Sequence, residues 1–150
     1  MGRFIIGIAI FLVIGGVAFL FRDFLPSNAA ELKVGDCFDV PAGTDVKDVQ
    51  HHPCTDAHDG EVIFVGDFTG SETYPSGDAF DAWVGAECVD KAFPTYVGAS
   101  FQSREDLDLG YFYPKTESWG KDKTVTCYIS PVAGGKVTVS YKAGAAPSAS

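Results

Sequence analysis

Residues 61–68, with the sequence EVIFVGDF, determine the architecture of this chain. Four consecutive β-branched or aromatic residues from Val62 to Val65 favour a β-strand. Because apolar side chains fall on both of its faces, such a strand is typical of the interior of a sheet. We therefore predict a central strand at 61–68.

The residues after this strand change from strand to helix periodicity. Phe80, Val84 and Cys88 recur every four residues, which places them on one face of a helix. Ser76 and Asp78 suit the first turn of a helix, and we expect Pro94 to end the helix. We predict one main helix over 76–93, with this apolar face against the sheet.

Further strands are predicted on either side of this strand and helix. Residues 32–40 resemble a strand interrupted at Gly35 by a turn or bulge. Three more strand patterns lie at residues 107–113, 124–130 and 137–141, and Gly134 with Gly135 favours a tight hairpin between the last two. The predicted fold class is α+β, with an antiparallel sheet and one main helix.

An apolar run precedes this domain. Residues 4–21 (FIIGIAIFLVIGGVAFLF), from Phe4 to Phe21, contain no charged side chain. Eighteen helical residues span roughly 27 Å at about 1.5 Å each, close to the thickness of the hydrocarbon core of a bilayer. We predict a single transmembrane helix that places the amino terminus in the cytoplasm, with the lipid bilayer as its partner.

A cleaved secretory signal is the alternative for the same residues. Arg3 supplies a basic start and the small residues 27–30 (SNAA) offer a cleavage site. The run is longer than a typical signal core, and Pro26 lies between the run and the cleavage site, so a retained anchor is preferred. The domain would be secreted if the leader were cleaved, and it reaches the extracytoplasmic side under either reading.

The domain boundaries are set by these patterns. We predict an anchor at 1–24, a linker at 25–30, a domain at 31–141 and a disordered tail at 142–150. The tail is rich in Ala, Ser and Gly and offers little to a core.

All four cysteines, Cys37, Cys54, Cys88 and Cys127, lie beyond the apolar run. An even number of cysteines in a small translocated domain indicates disulfides, whereas cytosolic cysteines would suggest metal or redox chemistry. Three pairings are possible, and we prefer Cys37 with Cys54 and Cys88 with Cys127. The second bridge would attach the helix to the sheet.

The charge of the chain excludes one class of partner. Asp and Glu total 20 against 11 Lys and Arg, for a formal net charge of −9. Binding to nucleic acid needs clustered Lys and Arg, and the sequence has no such cluster. We predict no nucleic-acid partner.

All three histidines fall within residues 51–61 (HHPCTDAHDGE). An extracytoplasmic metal-binding protein could use His51, His52 and His58 together with Asp56 or Glu61. The preferred interpretation is structural: the ring of His58 hydrogen-bonds to backbone at the turn into the strand, and His51 and His52 are exposed. We predict no metal and no cofactor, because an oxidising compartment would pair the cysteines before zinc could bind them.

Catalysis has weak support in the sequence. The serine-hydrolase motif GxSxG is absent, and no free cysteine is expected. Carboxylates at Asp78 and Asp81, or at 105–108, could serve an envelope hydrolase acting on wall polymer, but solvated charged surfaces explain them more simply. We therefore predict no enzyme activity.

Aromatic residues are dense near the last strands. An exposed subset would stack on a sugar or a peptide. With the histidine segment, this gives four candidate binding residues: His58, Glu61, Trp119 and Tyr113.

Several of these segments together resemble the septum-formation domain of actinobacterial envelope proteins. The resemblance lies in the sequences VGDCF at 34–38, CTDAHDGEV at 54–62, Cys88 within the predicted helix, PKTESW at 114–119 and VTC at 125–127. It implies an extracytoplasmic, disulfide-bonded domain linked to the septum or cell wall, with no reaction attached. Ala57 stands where the family has proline before the histidine, so the turn at His58 is expected to differ. The function expected is a membrane-anchored, non-enzymatic binding or scaffolding module whose partner is an unknown envelope protein or wall polymer.

Overall fold

The structure is a computed structural model that describes residues 26–27, 31–42 and 49–145. The predicted transmembrane run at 4–21 lies outside these residues. Among the described residues, no helix has both the length and the apolar character needed to span a membrane.

The described chain contains six strands and five short helices, and the first four strands precede the helices. The strands are β1 Pro26–Ser27, β2 Cys37–Asp39, β3 Val49–His52, β4 Gly60–Asp67, β5 Leu107–Phe112 and β6 Thr124–Pro131. The helices are α1 Gly77–Val84, a π-helix Gly85–Ala92, α2 Phe93–Val97, and two 3₁₀ helices, Phe101–Ser103 and Thr116–Ser118.

The strands form one antiparallel sheet in the order β1-β3-β2-β4-β6-β5. β4 lies inside it, with Glu61 opposite Cys37 on β2 and opposite Ile129 on β6. The prediction of a central strand at 61–68 is confirmed, and so are the strands predicted at 107–113 and 124–130.

α1, the π-helix and α2 run end to end as the predicted main helix. Ser76 caps it by accepting a hydrogen bond from Ala79 N to its Oγ at 3.3 Å. Pro94 does not end the helix, contrary to prediction, because Gly98 ends it in a left-handed conformation (φ 80°). A proline lacks an N–H and crowds the carbonyl four residues before it. The wider π turn, in which Phe93 N bonds to Cys88 O five residues back, accommodates the proline.

The main helix covers one face of the sheet. Ile63 on β4 and Ile129 on β6 pack there against Phe80, Val84 and Phe93. A second, smaller cluster lies on the opposite face, where Phe38, Val49 and Val62 are buried beside Leu32. The antiparallel sheet with one main helix, predicted from apolar periodicity, is confirmed.

Both preferred disulfides are present. Cys37 on β2 is bonded to Cys54, and Cys88 on the π-helix is bonded to Cys127 on β6. The second bridge attaches the helix to the sheet, as predicted. No cysteine is free.

Two predicted strands differ from the structure, and one observed strand was not predicted. Residues 32–40 form a strand only at Cys37–Asp39, which is shorter than predicted, whereas the predicted interruption at Gly35 is confirmed as a turn (φ 94°). Residues 137–141 contribute a single bridge, Val137 with His58, in place of a strand, so Gly134 and Gly135 form a turn that leads into no hairpin. β3 was not predicted.

The described domain also extends past its predicted end at Tyr141. Ala143 N donates a hydrogen bond to Tyr96 O at 2.8 Å, which docks this segment on the end of α2. Residues 142–145 therefore belong to the folded part, whereas 146–150 lie outside the described residues.

Candidate functional site

His51 and His52 lie on β3 and face carboxylates of neighbouring residues. His52 Nε2 is 2.9 Å from Asp39 Oδ2, and His51 Nδ1 is 3.9 Å from Asp36 Oδ2. The side chain of His51 is 15% exposed and that of His52 is 21% exposed, so the expectation that both are exposed is wrong. The strand pairing with β2 positions them, because His52 stands opposite Cys37 and His51 opposite Phe38.

Asp39 joins β3 to the segment after β6. Lys136 Nζ donates a hydrogen bond to Asp39 Oδ1 at 2.8 Å. Burial raises the pKa of Asp39, but the hydrogen bonds from Lys136 and His52 lower it by more, so the pKa lies below its ordinary value. The carboxylate is therefore charged and paired.

His58 is completely buried at the turn into β4. Its Nδ1 lies 2.7 Å from the carbonyl oxygen of Asp56, and its backbone pairs with Val137. Because a carbonyl only accepts, Nδ1 carries the hydrogen, and Nε2 is left as an acceptor. Within the described part of the chain, Nε2 has no hydrogen-bond partner. The predicted structural contact with backbone is confirmed.

Glu61, on β4, is also completely buried and is the centre of a hydrogen-bond network. Tyr96 Oη donates to Oε1 at 2.6 Å, Ser140 Oγ to Oε1 at 2.5 Å, and Tyr141 N to Oε2 at 2.8 Å. Burial and the hydrogen bond to Glu61 raise the pKa of Tyr96. These four residues, called the Glu61 cluster below, join the sheet, the end of α2 and the C-terminal segment.

Glu61 also lies close to Cys37 and His58. Cys37 Sγ, a ring nitrogen of His58 and a carboxylate oxygen of Glu61 all lie within 4.8 Å of one another. Sulfur, imidazole and carboxylate are metal ligands, but a disulfide sulfur is not a thiolate. With the bridge intact, the three residues are a structural cluster.

A groove of about 430 Å³ opens between β4, the main helix and the C-terminal segment. Its lining is mainly apolar, and it is formed by Val34, Ile63, Phe64, Glu87, Lys91, Ala92, Thr95, Tyr96, Lys142 and Ala143. The volume is within the range of small-ligand sites. The π-helix supplies three of the lining residues, so the widened part of the helix forms one wall.

Three charged side chains line the groove: Glu87, Lys91 and Lys142. Lys91 Nζ donates to Glu87 Oε1 at 2.6 Å, a pair within one helical turn. The hydroxyl of Thr95 is also engaged, donating to Lys91 O at 2.7 Å. Lys142, exposed on the opposite wall, has no ion-pair partner among the described residues. The groove thus combines an apolar surface with a cation in a chain of net charge −9.

The two predicted aromatic binding residues differ in exposure. Trp119 is 4% exposed and packs against Phe68 and Tyr74 at ring distances of 5.6 and 5.3 Å, so it is a core residue. Tyr113 is 52% exposed, and its ring centroid lies 4.9 Å from that of Phe80. Neither residue lines the groove.

Two of the carboxylates considered for hydrolysis, Asp106 and Asp81, have separate partners. Asp106 forms an ion pair with Arg104 at 2.8 Å, and the hydrogen bond from Arg104 lowers the pKa of Asp106. Asp81 accepts a hydrogen bond from Tyr111 at 2.7 Å; burial and this bond raise the pKa of Tyr111 to about 12. Neither carboxylate lies in the groove.

The groove and the Glu61 cluster depend on residues that the sequence did not single out. Tyr96, Ser140 and Lys142 are brought to β4 by the end of α2 and by the C-terminal segment, which was predicted to contain a strand and a disordered tail. No periodic pattern marks them. The available signal was the buried position of Glu61 in a strand, since a buried carboxylate requires donors.

A comparison with protein families gives one match. The family model described as septum formation matches residues 27–146. Neither the curated proteins nor the solved structures gave a match to the chain. The matched residues include both disulfides, the Glu61 cluster and the groove.

Proposed function

This chain belongs to the septum-formation family, and we propose that it is a membrane-anchored, extracytoplasmic binding module of the cell envelope that catalyses no reaction. The family indicates a role in cell division or in the envelope. The resemblance found in the sequence is confirmed by the family match. The anchor, the side of the membrane and the absence of catalysis are parts of the proposal.

The groove is the observation on which the proposal depends. It is preformed, mostly apolar and about 430 Å³ in volume, which suits a side chain or short apolar segment of a partner. Lys142 on its wall favours a partner that also has an acidic group. We propose that an envelope protein inserts such a segment here.

A binding role also agrees with the burial of His58 and the ion pairing of Glu87, two side chains that could otherwise take part in catalysis. His58 is fully buried, so no substrate in solvent reaches it. Glu87, the carboxylate of the groove, is paired with Lys91. General acid–base catalysis by a carboxyl group needs that group within hydrogen-bond reach of the substrate, and among the described residues the groove offers no unpaired carboxylate.

Tethering supports a function of this type. An anchor at residues 4–21 would hold the groove close to partners in the same membrane, which raises their effective concentration. A modest affinity for the segment would then suffice. The predicted disulfides of an oxidising compartment are present and agree with this location.

Photo-crosslinking in intact cells tests the proposal. A photoreactive phenylalanine analogue replaces Val34, which lines the groove and is 53% exposed. The matched control replaces Val132, which is 60% exposed and outside the groove. We expect a discrete crosslinked envelope protein from position 34 and none of the same mass from position 132.

A groove-filling variant completes the test. In Thr95→Trp, a large ring at an exposed position of the groove lining should fill the groove. The chain should still fold, since surface substitutions usually change the free energy of unfolding by no more than about 0.5 kcal/mol. It should abolish the crosslink from position 34. Equal crosslinking from positions 34 and 132, or a crosslink that survives Thr95→Trp, would count against the groove as the binding site.

A further inference from the structure

Cys37, His58 and Glu61 are buried side by side, and His58 and Glu61 have hydrogen-bond acceptor positions that no donor of the described chain occupies. All three are at most 1% exposed, and one atom from each lies within 4.8 Å of the others. None of these three residues lines the groove, so a role for them does not rest on the proposed function.

His58 is held in the state in which histidine binds metals. Its Nδ1 is anchored on Asp56 O at 2.7 Å. Its Nε2 is buried with no hydrogen-bond partner in the part of the chain that the structure describes. A metal-bound imidazole commonly donates its other N–H to a backbone carbonyl, which fixes the ring and leaves the ligating lone pair free.

Glu61 also has spare capacity. A carboxylate offers about four lone-pair positions, and the hydrogen bonds from Tyr96, Ser140 and Tyr141 occupy three. Two residues with spare acceptor capacity therefore lie near Cys37, since a ring nitrogen of His58 and a carboxylate oxygen of Glu61 are each within 4.8 Å of its sulfur. Such an arrangement attracts a cation as soon as the sulfur becomes anionic.

The bridge that blocks this sulfur is the more accessible of the two. Cys54 is partly exposed, whereas Cys37, Cys88 and Cys127 are buried at 1%, 0% and 0%. Thiol–disulfide exchange requires access of the attacking thiolate to a sulfur. An external dithiol can reach Cys54, and the Cys88–Cys127 bridge has no comparable opening.

We propose that reduction of the Cys37–Cys54 disulfide creates a zinc site formed by Cys37, Cys54, His58 and Glu61. Two thiolates, one imidazole and one carboxylate complete a four-coordinate set of the kind zinc accepts. Zinc bonds of about 2.0–2.3 Å in a tetrahedral site place the ligand atoms roughly 3.3–3.8 Å apart. The two sulfurs, bonded to each other in the oxidised chain, must therefore separate, and Cys54 must turn toward His58 and Glu61.

The chemistry balances with a dithiol as reductant. One of its thiolates attacks Cys54 Sγ, the bond from Cys54 to Cys37 breaks, and Cys37 leaves as a thiolate. The second thiol of the reductant then displaces Cys54, so the reductant becomes a disulfide and both cysteines are reduced. The two protons of the reductant's thiols pass to the two reduced cysteines, and they are released to solvent when Zn²⁺ binds both cysteines as thiolates.

Zinc affinity of the full-length chain in its two redox states tests this proposal. The chain is reduced by a dithiol, the reductant is removed without air, and Zn²⁺ is titrated against a chromophoric chelator. We expect the reduced chain to bind one zinc at least about 100-fold more tightly than the oxidised chain. Bound zinc should also protect Cys37 and Cys54 from alkylation, as mapped by mass spectrometry.

Two single variants supply matched free thiols that need no reductant. Cys54→Ser leaves Cys37 free beside His58 and Glu61, and Cys88→Ser leaves Cys127 free at a site with no such ligands among the described residues. Cys54→Ser should bind zinc, about 10- to 100-fold more weakly than the reduced chain. Cys88→Ser should not bind it.

Each other outcome contradicts the proposal. Equal zinc affinity of the oxidised and reduced chains, or equal affinity of the two serine variants, would show that the cluster is not the site. If reduction unfolds the chain, zinc should restore its near-ultraviolet circular dichroism, and failure to do so overturns the proposal.

Discussion

Removing the hydroxyl of Tyr96 tests how much one hydrogen bond of the Glu61 cluster contributes to the stability of the fold. In Tyr96→Phe, the carboxylate of Glu61 loses the donor at 2.6 Å, while Ser140 and Tyr141 remain. The tyrosine is 7% exposed, so water does not easily replace the hydroxyl. Hydrogen bonds to charged groups contribute about 1.5–3 kcal/mol, and we expect a loss of about 2 kcal/mol in the free energy of unfolding.

Equilibrium denaturation of the full-length chain, followed by tryptophan fluorescence, measures this loss. For a domain of this size, about 2 kcal/mol corresponds to a fall in Tm of roughly 8 °C. Tyr113→Phe is the matched control, because that tyrosine is 52% exposed, and its change should stay within about 0.5 kcal/mol. If both variants unfold at the same denaturant concentration, Glu61 does not depend on Tyr96 and the reasoning is refuted.

Three further changes have expected outcomes. Cys88→Ser with Cys127→Ser removes the bridge of sequence separation 39 and should cost about 4 kcal/mol by loop entropy, read from urea unfolding. Gly110→Ala places a methyl group inside the contact distance of the Tyr128 ring and should cost about 1–3 kcal/mol, read from Tm. Asp39→Asn should make the free energy of unfolding depend less on pH in the acid range. The pKa of Asp39 is lowered in the folded chain, so its carboxylate stabilises the fold above the ordinary pKa of 3.8. This contribution is lost as pH falls through the folded pKa.

Controls distinguish these effects from general damage. Removing the Cys37–Cys54 bridge, of sequence separation 17, should cost less, about 3 kcal/mol, and the opposite ranking would contradict the loop argument. Gly120→Ala meets no atom within 4 Å, so a loss equal to that of Gly110→Ala would exclude the ring contact as the cause. Unfolding curves of Asp39→Asn measured at about pH 3 and about pH 6 should differ less than those of the unchanged chain.

The elements with strong local patterns were predictable from the sequence. β4 and β6 are rich in β-branched residues, and the helix repeats apolar residues every four positions. β3 was missed because Val49–His52 holds Gln50 and two histidines, which face carboxylates of neighbouring residues instead of forming an apolar stripe.

The errors arise where a distant group competes with the local pattern. Residues 137–141 alternate as a strand should, but the Tyr141 N–H donates to Glu61 Oε2 and not to a neighbouring strand. Pro94 was expected to stop the helix, and the π turn before it removes the conflict. Neither contact can be read from neighbouring residues.

The candidate site was predictable only in part. His58 and Glu61 were identified from the density of polar residues, and both disulfide pairings were preferred in advance. The groove was not identified, because its lining comes from four separate segments of the chain and none of them has a distinctive pattern alone. Trp119 was selected as an aromatic near the last strands, but ring packing against Phe68 and Tyr74 buries it.

The oxidation state of the cysteines in living cells tests the central claim most directly. Free thiols are blocked with a membrane-permeant alkylating agent before lysis, and the unreduced chain is then digested and mapped by mass spectrometry. An extracytoplasmic domain predicts peptides linked through Cys37–Cys54 and Cys88–Cys127, with little alkylated cysteine. Alkylation at all four cysteines would place the domain in a reducing compartment and contradict the account.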